Sequence, residues 1–155
     1  MPRIAVPDGE DPLMHLWAAT DSRLTGPAAA FSDAVYKRTK LPVREFEAAR
    51  ITIARINDCL ICRTLRTEGG PDESFYDAVL GHDRSDLSER EVLAAEFAEQ
   101  FATDHLDMDD AFWERLHAAY DDSELVELGL CVGSWLAFGR LNRVFDVDGA
   151  CRVLH

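Results

Sequence analysis

Cys59 and Cys62 stand three apart in the stretch NDCLICRTLR, with Arg63 four residues after the first and Arg66 four after the second. Cysteines at i and i+3 of a helix share a face, with Cβ atoms roughly 5–6 Å apart, and a small adjustment lets them bridge. If Asp58 caps that helix, both sulfurs fall in its first turn, where unpaired N–H groups and the positive dipole end favour a thiolate. A cation one turn away lowers a thiol pKa further. Moving a thiol from about 8.5 to about 6.5 gives roughly a tenfold gain in nucleophile at neutral pH. Arginine supplies that field but cannot accept the proton. The residue types point to a dithiol–disulfide couple. Cys131 and Cys151 form no second CxxC, and no histidine spacing completes a zinc site, so neither metal nor cofactor is expected.

A carboxylate joins the pair if the chain folds back at Asn57-Asp58. Glu47 is ten positions before Asn57 and Arg66 nine after it, so a helical hairpin would bring them together beside Cys62. Glu47 would then take the thiol proton through water or pair with Arg66, and Cys62 becomes the expected first nucleophile. The candidate catalytic residues are therefore Cys59, Cys62, Glu47 and Arg66. Cys131, among Leu130, Val132 and Trp135, reads as a core thiol.

The elements that must position these groups all have helical spacing. Asp11-Pro12 opens a short helix with Leu13, Leu16 and Trp17 on one face. Thr25-Gly26-Pro27 is expected to open the next, with Phe31 and Val35. Pro42 begins a third, placing Phe46, Ala49, Ile53 and Ile56 on one side, and a fourth runs from Cys59 to the Gly69-Gly70-Pro71 break. Ser88 and Glu91 form a capping box, ahead of helices carrying Phe97 and Phe101, then Phe112 and Leu116. The last helix runs from about Ser123 to Val144, where Gly129, Gly133 and Ala137 make a small-residue stripe fit for close backbone approach. No segment alternates with period two. An all-α fold in one domain over residues 1–155 is expected.

Composition narrows the partners. A net charge of −13 repels phosphate backbones and anionic lipid, so neither nucleic acid nor a membrane surface is expected. The N-terminus has no apolar stretch of signal-peptide length, and a cytoplasmic location is expected.

From Glu47 through AARITIARI to NDC and CLIC, the chain resembles the carboxymuconolactone decarboxylase and alkylhydroperoxidase D superfamily, in which a glutamate also lies twelve positions before the first cysteine. LSEREVLAAEFAEQF and DDSELVELGLCVGSWLAFGRLNRVF extend the resemblance over roughly residues 10 to 148. It implies an AhpD-like helical bundle forming homo-oligomers. It also implies a CxxC enzyme that reduces a small-molecule hydroperoxide, or else a disulfide, and is reset by a thiol or disulfide reductant. The family's peroxidases carry a histidine four residues after the second cysteine, where this chain has Arg66. His15, His82, His105, His117 and His155 all lie elsewhere. A lactone decarboxylase-like lyase, or a non-catalytic redox-sensing oligomer, is the alternative.

Overall fold

The computed structural model describes residues 1–20 and 22–147, and every regular element among them is an α-helix. The eight are α1 (Pro12–Ala18), α2 (Ser22–Arg38), α3 (Val43–Ile56), α4 (Leu60–Thr64), α5 (Glu73–Gly81), α6 (Glu89–Thr103), α7 (Asp110–Ala119) and α8 (Asp122–Val144). None is long and apolar enough to cross a membrane. Cys151 and His155 lie outside the described residues.

The centre is α3, which packs most extensively on α6 and then on α8. Small side chains explain the closeness: Ala48, Ala49 and Ala54 of α3 and Ala94, Ala95 and Ala98 of α6 are all fully or almost fully buried. Interaxial distance follows the size of the side chains at the contact. The sequence suggests a helix with one apolar side, but α3 is buried all round from Glu45 to Ala54, including Glu47, Arg50 and Thr52. Around it the aromatic rings of Tyr36, Phe46 and Trp135 meet edge to face.

Capping follows the sequence closely. Asp11 accepts from the Met14 amide with Pro12 in the first turn, and the Ser88–Glu91 capping box forms. Asp121 and Glu124 build a second box that starts α8. Two expectations fail for α2 and α8. First, α2 begins at Ser22, not at Pro27, which lies inside the helix. Gly26 removes one part of the strain, since the clash of proline with the residue before it involves in part a Cβ that glycine lacks. Second, the small-residue stripe does not carry the close approach. A Cβ on Gly133 would meet nothing within 4 Å, whereas one on Gly139 would lie 2.6 Å from Asn57 Nδ2.

That contact ties α8 to the break after α3. Asn57 donates to the Trp135 carbonyl at 3.0 Å and accepts from Arg140 Nε at 3.1 Å. Gly139→Ala should therefore displace Asn57 and destabilise the fold by about 1–3 kcal/mol. In an Asn57→Ala background the same change should cost much less. Urea unfolding of the four chains in this double-mutant cycle checks the coupling.

Candidate functional site

The CxxC segment begins where α3 stops. Asn57 keeps helical dihedrals as the C-cap, Asp58 turns into the left-handed region at φ 49°, and the Cys59 amide donates back to the Ala54 carbonyl. An aspartate tolerates this conformation better than most residues. Asp58 is therefore not the helix cap. Cys59 is, its Sγ accepting from the Cys62 amide at 3.3 Å, while Asp58 turns its carboxylate to Arg143 at 3.2 Å.

The two sulfurs lie 2.10 Å apart, at disulfide distance, with Cα atoms 5.3 Å apart. They differ in access. Cys59 is completely buried, whereas Cys62 is half-buried and lines a cavity of about 440 Å³ among α1, α2, α3, α4 and α8. Its walls are mostly apolar, with Trp17, Ile53, Leu65, Trp135 and Phe138 prominent, and Arg50 also faces it.

The chain does fold back at Asn57-Asp58, yet the residues that meet are not the expected ones. Glu47 is fully buried, and its carboxylate takes hydrogen bonds from four donors. Arg50 Nε and Nη2 donate at 2.7 and 2.6 Å, Thr67 Oγ1 at 2.5 Å and Tyr76 Oη at 2.6 Å. Burial alone would raise its pKa, but these donors and the Arg50 charge outweigh it and hold Glu47 below the ordinary carboxylate range. Burial and the neighbouring Glu47 carboxylate push the Tyr76 phenol up to about 12.

Arg50 is the residue the sequence reading missed. It is 1% exposed, and beyond its fork on Glu47 it donates from Nη1 to the Cys62 carbonyl at 2.6 Å and from Nη2 to the Leu65 carbonyl at 2.8 Å. One signal was available: an arginine three residues after Glu47 on a helix otherwise rich in alanine and isoleucine, where a buried ion pair can form within a turn.

Arg66 goes elsewhere. The helix expected to run to Gly69 ends at Thr64, where Leu65 turns extended and the Cys62 carbonyl, which the next turn would use, accepts from Arg50. Thr64 Oγ1 donates to the carbonyls of Leu60 and Ile61, and Arg66 itself to those of Arg63 and Leu65. Arg66 thus leaves the helical register. It pairs with Glu73 at 2.8 Å and lies over the Tyr76 ring, 4.0 Å from its centroid. Arg63 points to Asp58 at 3.9 Å.

None of His15, His82, His105 and His117 lines the cavity. His15 pairs with Glu10, His82 meets Arg55, and His117 lies near Asp122. Among the described residues, no group of three or more metal-ligating side chains converges. Cys131 is a buried free thiol, its pKa pushed up to about 11 by burial. In comparisons with known proteins, no family model and no curated protein matches the chain.

The lowered pKa of Glu47 fixes a sign for acid stability. A carboxylate whose folded pKa lies below its ordinary value of 4.5 contributes stability fully above about pH 4.5, and that contribution is lost as pH falls through the folded value. Glu47→Gln should flatten this acid limb in a urea-unfolding series between about pH 2 and 6. Tyr76→Phe, which removes one donor to a buried charge, should cost about 1.5–3 kcal/mol at pH 7.

Proposed function

We propose that this chain is a thiol-dependent hydroperoxide reductase of the alkylhydroperoxidase D type, working through the Cys59–Cys62 pair. The observation carrying the reading is the asymmetric disulfide-distance pair, one sulfur sealed and the other facing an apolar cavity beside a buried guanidinium. The all-helical architecture and the glutamate twelve residues before the first cysteine agree with it.

In this scheme the Cys62 thiolate attacks the terminal oxygen of a hydroperoxide held in the cavity. An S–O bond forms, the O–O bond breaks, and the alkoxide leaves and is protonated to the alcohol. Cys62 is then a sulfenic acid. The Cys59 thiol displaces its oxygen as water, closing the disulfide, and an external dithiol reductant returns both cysteines to thiols while becoming oxidised itself. Glu47, held ionised by its four donors, is an anchor in this scheme rather than a proton donor, and the proton for the alkoxide comes from water. Cys62 attacks first because Cys59 is closed to solvent.

The same reading places the enzyme in the cytoplasm as a homo-oligomer. Val126, Leu130 and Val144 of α8 are more than half exposed and give apolar surface for a second copy.

Counting free thiols on the reduced protein before and after one equivalent of an organic hydroperoxide tests the proposal. Rapid loss of two thiols with a Cys59–Cys62 cross-link is expected. Cys62→Ser should abolish the reaction, and Cys59→Ser should stop at a sulfenic acid that a dione reagent traps on Cys62. Oxidation no faster than that of a simple thiol in buffer would remove the peroxidase reading.

A further inference from the structure

We infer that Arg50, rather than Arg66, is the positioning residue that holds Cys62 as a thiolate when the pair is reduced. The inference rests on the thiol-redox reading of the site and assigns a residue within it. Its ground is the orientation of a buried ion pair. Nε and Nη2 of Arg50 occupy the two oxygens of Glu47, and the corner left over, Nη1, lies on the Cys62 carbonyl at 2.6 Å. Nη2 also reaches the Leu65 carbonyl, so the guanidinium clasps the backbone at two points around the end of α4. The pair therefore presents its positive end to the Cys62 backbone and its negative end to Thr67 and Tyr76. Cys62 and Arg50 line the same cavity, and with Arg50 only 1% exposed its field is weakly screened by solvent.

The other charges around the cysteine are committed elsewhere. On α4 itself and just beyond it, Arg63 faces Asp58, and Arg66 is engaged by Glu73. On α2, Asp33 lines the cavity, but it pairs with Lys37 at 2.6 Å and is more than half exposed; Tyr36 is the other titratable group there. On α5, Tyr76 is bound to Glu47. On α8 the wall is Trp135, Phe138, Gly139 and Asn142, with no charge, and Arg143 turns to Asp58. Among the described residues, Arg50 is the buried cation bonded to the Cys62 backbone.

The assignment makes predictions of opposite sign for the two halves of the ion pair. In a Cys59→Ser background, the pH dependence of Cys62 alkylation by iodoacetamide, read by peptide mass, gives the thiol pKa. Removing the cation with Arg50→Met should raise it by about one unit, slowing alkylation at neutral pH roughly tenfold. Removing only the counter-charge with Glu47→Gln should lower it, because Arg50 is then uncompensated. Arg50→Lys should fall between wild type and Arg50→Met, and Arg66→Met should move the pKa less than Arg50→Met does.

A merely structural role would perturb the thiol in the same direction in both halves of the pair. Should Arg50→Met fail to fold, Glu47→Gln still decides: an unchanged or raised pKa there overturns the assignment, as does a larger shift in Arg66→Met. Oxidation of the wild-type pair in glutathione buffers is measured alongside. If Cys59 and Cys62 do not bridge there while the pKa shifts keep their signs, the redox reading falls and the Arg50 assignment stands.

Discussion

A carboxylate and a guanidinium, both almost wholly out of contact with solvent, set the terms for this structure. Burying two ions costs several kcal/mol each, and mutual attraction offsets that only when the remaining lone pairs and protons also find partners. Here they do. Glu47 receives four hydrogen bonds and Arg50 gives four, to Glu47 twice and to the carbonyls of Cys62 and Leu65. Because those partners come from α3, from α4 and the loop after it, and from α5, satisfying the pair obliges three parts of the chain to meet. The short length of α4 agrees with the same requirement, since the Cys62 carbonyl that a longer helix would use internally accepts from Arg50.

A second polar network fixes the frame around this centre. Arg90 on α6 binds Glu45 on α3 and Glu124 on α8 and lies over the Tyr120 ring. Arg44 on α3 binds Glu91, the same side chain that closes the α6 capping box. On the opposite side Asn57 wedges against Gly139. The cysteine turn is therefore bounded by α3 before it and α8 beside it, each anchored by residues outside the site. Between them Cys62 lines the cavity.

Much of the architecture was legible from local rules. Helical periodicity, the caps at Asp11 and Ser88, and the reversal at Asn57-Asp58 all appear where the sequence puts them. What was not legible depended on tertiary competition. Extrapolating one helical turn from Cys62 to Arg66 assumes that the helix continues, but it ends at Thr64, with the Cys62 carbonyl given to Arg50. Arg50 was hidden for a related reason: an arginine on an amphipathic helix ordinarily marks the wet face, and only the packing of α6 and α8 around α3 leaves that helix no wet face. Gly139 was passed over for the regular stripe at Gly129 and Gly133, because regular spacing shows a path for a neighbouring helix but not the lone side chain that fills a gap.

The unequal burial of the two sulfurs also makes their bond directional. Any thiolate that attacks it reaches the sulfur of Cys62, so the mixed disulfide forms there and Cys59 departs as the leaving thiolate. That departing charge is received by a backbone N–H already aimed at it, the Cys62 amide 3.3 Å away. Exchange speeds up as the leaving thiol becomes more acidic. In any such exchange the buried sulfur would be the leaving group, and the more accessible one the point of attack.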